Sequence, residues 1–164
     1  MAILRDTTHY VRIIRHKTFE DGRTILVKAD SADSISTLVN VYCPKKDDSD
    51  FIERIFLESL TYADSSNLVY RGEWNTMLSN TLDKDGGAVR HSSVTTQSLL
   101  SSMISDWGLS NIFRIAHGDQ KIFSHVDKRH KTHTSLEFFV INDRIVYFPI
   151  CRSDISHDFK SDHS

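Results

Sequence analysis

Polar residues suited to acid–base chemistry interrupt or follow the apolar segments of this sequence. Glu73 and Asn75 come after one apolar segment, Glu137 lies inside another, and Asp162 precedes His163 near the last residue. A carboxylate next to an imidazole can hold or exchange a proton, and α/β sheets commonly build their sites where strands end. These residue types and positions indicate part of an enzyme.

Composition places the chain among ordinary globular proteins. With 164 residues, 39% hydrophobic and 26% charged, we expect one domain over residues 1–164. The formal net charge of −2 means that any nucleic-acid binding must be local. Cys43 and Cys151 are too few for a disulfide framework or a cysteine-based zinc site, and they favour buried free thiols in an intracellular protein. No segment has the pattern of a signal peptide or a membrane helix.

Hydrophobic periodicity predicts that the chain opens with β-strands and then alternates strands and helices. Strands are predicted over residues 10–14, 24–29 and 35–42, with a turn at Asp21-Gly22 between the first two. The third strand leaves Tyr42 at the edge of a loop. A helix should follow, with Asp50 as its N-cap, Glu53 as the reciprocal partner, and an apolar stripe formed by Ile52, Ile55, Phe56 and Leu60.

The later segments continue this alternation. We predict a buried strand over residues 68–70, a helix with a stripe at Leu99, Leu100, Met103, Ile104 and Trp107, and further strands over residues 121–124, 135–141 and 151–156. Within residues 135–141, Glu137 alternates so that it shares an otherwise apolar face with Phe139 and Ile141. A buried carboxylate is costly unless it is paired or ligates a cation, which makes Glu137 a candidate functional residue.

Five motifs occur in a characteristic order along the chain. They are Tyr42 within VYCP, Glu73 and Asn75 within LVYRGEWN, KIFS at 121–124, Glu137 within LEFFVI, and SDHS at 161–164. In this order they resemble the endonuclease/exonuclease/phosphatase superfamily, and more closely the endonuclease domain of non-LTR (LINE-type) retrotransposon polyproteins. The resemblance implies an α/β (α+β) fold, a four-layer sandwich of two β-sheets flanked by helices and incomplete at its edges. It also implies magnesium-dependent hydrolysis of phosphodiester bonds in DNA.

The resemblance assigns catalytic roles to the early motifs. Glu73 would activate or orient the attacking water, and Asn75, two residues later on the same side of the extended chain, would hold the phosphate and that carboxylate. Tyr42 would donate a hydrogen bond from its phenol to a phosphate oxygen. All three are therefore expected to be catalytic residues.

The late motifs would complete the site. His163, held by Glu137, would contact the scissile phosphate and stabilise charge in the transition state. Asp162 would lie at the metal as its ligand, and Ser161 would fix the loop beside the substrate. The cation would be magnesium, a hard ion that takes oxygen ligands and substrate phosphate.

The sequence also departs from the family pattern. Glu73 and Glu137 replace aspartates, each adding one methylene, and a misplacement of about 1 Å can cost roughly 10²-fold in rate. Ile122 replaces a threonine and Ser135 a basic residue. The first third of the family domain, with an asparagine and a metal-ligating glutamate, and the family's final strand would lie outside this chain. We therefore expect a domain truncated at both ends and a weak or inactive nuclease.

Three functions remain open on the sequence. The first is a retrotransposon-type endonuclease, nuclear if it acts on chromosomal DNA. The second is a decayed fragment that self-associates through exposed sheet edges. The third is a non-catalytic nucleic-acid-binding module. The third would use the basic loop at 126–134, where Lys128 and Arg129 either meet a nucleic-acid backbone or are simply solvated. His130 and His133 have the spacing of half a zinc site, but no cysteine pair or glutamate-bearing helix completes it. No membrane partner is expected.

Overall fold

The computed structural model describes residues 10–31, 34–86, 94–127 and 129–142. Their strands are β1 (Val11–Thr18), β2 (Thr24–Ser31), β3 (Ser34–Tyr42), β4 (Asn67–Glu73), β5 (Lys84–Asp85), β6 (Leu109–Asn111), β7 (His125–Asp127), β8 (Thr132–Thr134) and β9 (Glu137–Asn142). The helices are α1 (Ser49–Ala63), α2 (Val94–Asp106) and α3 (Ile112–His117).

These strands form two sheets. The larger has six strands in the order β1-β2-β3-β4-β9-β6, and the smaller has three in the order β5-β8-β7. Strands β1 to β3 form an antiparallel meander, and Gly22 takes a φ of 68° in the predicted turn between the first two. Strand β4 pairs parallel with β3 and antiparallel with β9. The predicted α/β class, with two β-sheets and helices, is confirmed.

Helix α1 is the crossover that joins the parallel strands β3 and β4. Its N-cap is Asp48, whose Oδ1 accepts a hydrogen bond from the backbone N–H of Phe51 at 2.9 Å. The prediction of Asp50 as the cap, with Glu53 as its partner, is therefore wrong. Asp50 lies in the first turn of the helix, where its negative charge interacts favourably with the positive end of the helix dipole.

The core lies between the larger sheet and helices α1 and α2. Leu60, predicted to belong to the apolar stripe of α1, is 42% exposed. Ser59 faces the sheet instead, because its Oγ lies 2.6 Å from the Tyr70 hydroxyl in a buried hydrogen bond. The Tyr70 ring stacks on Phe56 with centroids 5.1 Å apart, and burial raises the pKa of the phenol. The stripe predicted for the second helix packs on this core through Leu99, Leu100, Met103 and Ile104 of α2 and through Trp107, which directly follows the helix.

The segment between α3 and β9 differs from the prediction. Residues 121–124 form no strand, and residues 126–134, predicted as a loop, contribute instead to the hairpin of β7 and β8. A strand needs a neighbouring strand to pair with. Residues 132–134 pair with residues 125–127 and not with residues 121–124. The predicted strand at 151–156 lies outside the described residues. Within the described ranges no helix is long and apolar enough to cross a membrane.

Candidate functional site

Three of the predicted catalytic residues lie side by side on adjacent strands. Tyr42 of β3 is the register partner of Glu73 on β4, and Glu73 is in turn the register partner of Glu137 on β9. Directly paired residues on neighbouring strands point to the same face, and neighbouring strands lie about 4.8 Å apart. The row Tyr42, Glu73 and Glu137 therefore presents a phenol and two carboxylates on one face at one edge of the sheet.

The backbone beyond the strands holds this edge together. The Cys43 N–H donates to the Glu73 carbonyl at 2.8 Å, and the Trp74 N–H donates to the Leu136 carbonyl at 2.8 Å. These bonds continue the pairing of β4 with both neighbours by one residue. The Trp74 ring is buried and stacks on Phe138 with centroids 5.3 Å apart, which anchors the chain just after Glu73.

Gly72 allows the close approach of β3 and β4 directly before the site. A Cβ at this position would lie 2.0 Å from the carbonyl oxygen of Val41, which is much closer than any real contact. Because Val41 and Gly72 are register partners, their separation sets the distance between the next pair, Tyr42 and Glu73. Gly72 belongs to the LVYRGEWN motif on which the family resemblance rests, and the close packing of β3 against β4 also requires a glycine at this position.

Asn75 occupies the turn after β4 in a conformation that suits its residue type. Its φ is 51°, in the left-handed region where asparagine is several-fold enriched among residues other than glycine. The side-chain Nδ2 donates to the Cys43 carbonyl at 2.7 Å and so ties the turn to the loop that follows Tyr42. An amide nitrogen has two hydrogens, so the same group can also donate to a substrate oxygen.

Glu137 is half-buried at the start of β9, whereas the sequence placed it on a buried apolar face. Phe139, on the same face, is 42% exposed, and it is the opposite face, with Phe138 and Val140, that enters the core. The backbone of Glu137 is held by Ser124, a buried residue whose Oγ accepts from the Glu137 N–H at 3.2 Å. Ser124 of the KIFS motif thus positions β9 without belonging to a strand.

Arg23 is a site residue that the sequence reasoning missed. Its guanidinium lies over the Tyr42 ring, 5.4 Å from the centroid, and its carbonyl accepts from the Tyr42 N–H at 2.8 Å. The signal was present, because Arg23 directly follows the predicted Asp21-Gly22 turn. Only the register of β2 against β3 shows that this turn ends beside Tyr42.

The structure places Arg129 in the turn of the β7–β8 hairpin, on the smaller sheet and apart from the row of Tyr42, Glu73 and Glu137. Its backbone N–H donates to Asp127 Oδ1 at 2.9 Å. This bond and another from the His130 N–H lower the pKa of Asp127, the His130 bond contributing most. The other predicted site residues, Lys128, Ser161, Asp162 and His163, lie outside the described residues.

The groups suited to bind a metal ion in the described part of the site are carboxylates. Within the described residues no three His, Cys, Asp or Glu side chains are grouped closely enough to enclose a metal ion, and this includes the region of His130 and His133. Glu73 and Glu137 supply two neighbouring oxygen donors. Mg²⁺ is commonly held by one or two carboxylates together with waters and substrate phosphate, so this donor set fits magnesium better than zinc.

Solved structures that resemble this chain include two endonucleases and a phosphatase. The AP endonuclease LMAP from Leishmania major matches it with a TM-score of 0.62 at 13% identity, over 77% of this chain and 48% of LMAP. The endonuclease domain of TRAS1, a telomere-specific non-LTR retrotransposon, matches with a TM-score of 0.63 at 14% identity, over 91% of this chain and 63% of that domain. The 3′ phosphatase NExo from Neisseria, bound to product DNA hairpin, matches with a TM-score of 0.57 at 16% identity, over 77% of this chain and 54% of NExo.

These likenesses establish the fold. LMAP, TRAS1 and NExo are all members of the endonuclease/exonuclease/phosphatase superfamily, so the resemblance to that superfamily is confirmed at the level of fold. The chain spans 48% to 63% of the length of the three structures. No protein-family model matches the sequence, and no curated protein matches it.

Proposed function

We propose that this chain carries part of the active site of a DNA endonuclease of the retrotransposon type, which hydrolyses phosphodiester bonds with the help of magnesium. The observation that carries the proposal is the register of Tyr42, Glu73 and Glu137 across three strands. A fold shared with two endonucleases and a DNA-bound phosphatase adds support. The row brings together a hydrogen-bond donor for phosphate and the carboxylates that hydrolysis requires.

Each residue of the row has a task in this proposal. The Glu73 carboxylate accepts a hydrogen bond from the attacking water and orients it towards phosphorus. The phenol of Tyr42 donates to a non-bridging phosphate oxygen, and the Arg23 guanidinium beside its ring adds positive charge where the pentavalent transition state becomes more negative. Asn75, with its amide already held by the Cys43 carbonyl, donates its second hydrogen to the phosphate.

The magnesium ion would be held at the same edge of the sheet. Glu137 and Glu73 are the described donors, and Asp162, outside the described residues, is the ligand that the family resemblance adds. A bound Mg²⁺ neutralises phosphate charge and lowers the pKa of a coordinated water. Glu137 would also orient His163, so its carboxylate is proposed to serve both the imidazole and the cation.

The two glutamates are expected to make the enzyme slow. Each places its carboxylate one methylene farther from the backbone than an aspartate would, and a displacement of about 1 Å costs roughly 10²-fold. Shortening either side chain should therefore raise activity. Glu73→Asp is expected to increase plasmid nicking by up to about 10²-fold if the impairment arises from this added length.

Nicking of supercoiled plasmid, measured in Mg²⁺ and in EDTA, tests the proposed function. We expect weak nicking that EDTA abolishes and that Glu73→Gln lowers by roughly 10²-fold, since general base catalysis contributes about that much. The matched control is Glu53→Gln, because Glu53 is exposed on α1 and is not one of the residues of the row. Absence of nicking at high protein concentration, or equal loss in both variants, would refute the proposal.

A non-catalytic nucleic-acid-binding module is the second candidate. It is favoured by the β7–β8 hairpin, whose turn exposes Arg129, His130 and Lys131. Phosphate contacts made by such side chains weaken as salt increases. Arg129→Ala with Lys131→Ala should then lower DNA affinity and its salt dependence without affecting the row at the larger sheet. DNA binding that is unchanged by this double substitution would exclude the hairpin as the contact surface.

The alternative that the chain is a decayed fragment predicts that it self-associates. Among the described strands, β1 lies at an edge of the larger sheet, and its Ile13 and Ile14 are 50% and 44% exposed. An apolar edge strand invites pairing with a second chain. Sedimentation velocity should show concentration-dependent dimers that Ile13→Lys abolishes. A strictly monomeric chain at high concentration would argue against this alternative.

A further inference from the structure

A buried ion pair joins the loop after Asn75 to helix α3. Nη2 of Arg114 donates to Oδ1 of Asp83, and the two side chains are only 21% and 7% exposed, the lowest values among the ion pairs of the described residues. Nη1 of the same guanidinium donates to the carbonyls of Gly118 at 3.1 Å and Gln120 at 2.7 Å. One planar group therefore holds both the carboxylate and the chain after α3.

The Asp83 carboxylate also fixes the loop that follows Asn75. Its Oδ2 accepts from the backbone N–H of Ser79 at 2.8 Å and from that of Leu78 at 3.1 Å. The Asp83 N–H returns a bond to the Ser79 carbonyl at 2.9 Å. Hydrogen bonds to an ionised acceptor are stronger than those between neutral groups. The shape of this loop thus depends on a buried negative charge that Arg114 compensates.

The backbone of Asp83 holds the residues that lead into β9. Its carbonyl accepts from the N–H of Ser135 at 2.9 Å, two residues before Glu137. The Ser135 hydroxyl donates to the Ile122 carbonyl, so two positions at which the sequence departs from the family pattern contact each other. With the bond from the Glu137 N–H to Ser124, the start of β9 is held from two sides.

These contacts form a closed ring that leaves β9 and returns to it. Asn111 of β6 is the register partner of Val140 on β9. The Asn111 side chain caps α3 and accepts from the Arg114 N–H at 3.2 Å. Arg114 then holds Asp83, whose carbonyl holds the residues just before Glu137. Removing the guanidinium would open the ring next to the carboxylate of the candidate site.

We propose that Asp83 and Arg114 are positioning residues, which fix the Glu137 carboxylate relative to the Asn75 side chain. A buried ion pair is a poor means of stabilising a fold, because moving two charges out of water costs free energy that their attraction repays only in part. It holds geometry well when both carboxylate oxygens have directed donors, as they do here. The inference rests on the proposed function, in which Glu137 and Asn75 act on the cation and the phosphate.

Amide hydrogen exchange followed by NMR tests the positioning without requiring cleavage. Arg114→Gln leaves the charge of Asp83 uncompensated and opens the ring beside Glu137. The amides of Ser135 and Glu137 should therefore exchange at least about tenfold faster, relative to the amides of β2 and β3, than they do in the native chain. A general loss of stability would instead accelerate the amides of all these strands together, and that result would overturn the inference.

Thr37→Val is the matched control for a lost buried contact. The Thr37 hydroxyl is buried and lies 2.7 Å from the Ser66 hydroxyl, in the first half of β3, whereas Tyr42 ends that strand. This variant should leave the relative exchange of the two β9 amides unchanged. If Arg114→Gln does not fold, the double variant Asp83→Asn with Arg114→Gln removes both charges and should show the same local acceleration.

Plasmid nicking gives a second readout. Arg114→Gln should lower kcat roughly 10²-fold, as a displacement of about 1 Å at Glu137 would, and leave KM unchanged because neither residue of the pair contacts the substrate in this proposal. Arg114→Lys keeps the charge but not the planar group, so it should recover about tenfold of that loss. A rise in KM with an unchanged kcat would mean that Arg114 binds DNA directly, against the inference.

The outcomes separate this inference from the proposed function. Local acceleration of exchange at Ser135 and Glu137 in a chain that never nicks DNA would refute the proposed function and leave the positioning of Glu137 standing. Nicking by the native chain that Arg114→Gln lowers no more than Thr37→Val does would refute the positioning inference alone.

Discussion

Replacing Gly72 by alanine should separate the two strands that carry Tyr42 and Glu73. The added Cβ would lie 2.0 Å from the Val41 carbonyl oxygen, 2.7 Å from its carbon and 2.9 Å from its nitrogen. All three atoms belong to the backbone of the neighbouring strand, so no side chain can rotate away. Ordinary contact begins near 3.4 Å, and β3 must therefore move by about 1.4 Å at the oxygen.

The cost of this movement can be bounded. Overpacking a well-packed interior costs about 1–3 kcal/mol, and more where the backbone must move, so we expect Gly72→Ala to lower the free energy of unfolding by about 3 kcal/mol or more. The displacement also falls between Tyr42 and Glu73. A change of about 1 Å there should lower nicking by roughly 10²-fold in whatever protein remains folded.

Urea unfolding followed by tryptophan fluorescence measures the first effect, and plasmid nicking below the transition measures the second. Gly118→Ala is the control. Gly118 has a φ of 56°, and a Cβ added there would meet nothing within 4 Å, so alanine carries only the left-handed strain of about 1 kcal/mol. The reasoning fails if Gly72→Ala destabilises the chain no more than Gly118→Ala does.

Three further predictions concern neighbouring features. Asn75→Ala should lower the free energy of unfolding by about 2 kcal/mol, because it removes the hydrogen bond to the Cys43 carbonyl and forces alanine to a φ of 51°. Asn75→Gly, which avoids the backbone strain, should lower it by less than half as much, as measured by thermal unfolding. Burial, followed by the charge of Asp48, raises the pKa of the Cys43 thiol, so in a Cys151→Ser background a disulfide reagent should react roughly 10²-fold more slowly with native than with urea-unfolded protein. Burial raises the pKa of Asp21, but bonds from the Arg23 N–H and the Arg54 guanidinium outweigh it and leave the pKa lowered. The stabilisation is therefore present above the unfolded pKa and lost as pH falls through the folded one, so Asp21→Asn should cost about 0.5 kcal/mol at pH 7 and almost nothing at pH 2. A cost from Asp21→Asn that grew towards low pH would contradict that sign.

The local sequence pattern was sufficient to predict the longer strands and helices. The period-2 and period-3.6 repeats of residues 24–29, 35–42 and 52–60 depend on side chains that are close in sequence, and each became a strand or helix at nearly the predicted place. The strand predicted at 121–124 failed because a strand also needs a partner, and the available partner, residues 132–134, lies opposite 125–127. The N-cap was misplaced by two residues, since Asp48 and Asp50 are both suitable capping types.

The sequence by itself determined which residue types are present, in what order, and the elements that carry them. Motif order was enough to predict the fold that the chain shares with LMAP, TRAS1 and NExo, because that order is a property of the chain alone. Tertiary structure decided which residues meet. Strand register placed Glu73 between Tyr42 and Glu137 and brought Arg23 to the Tyr42 ring. Register depends on contacts between distant segments, and a shift of one residue would turn every side chain of a strand to the other face.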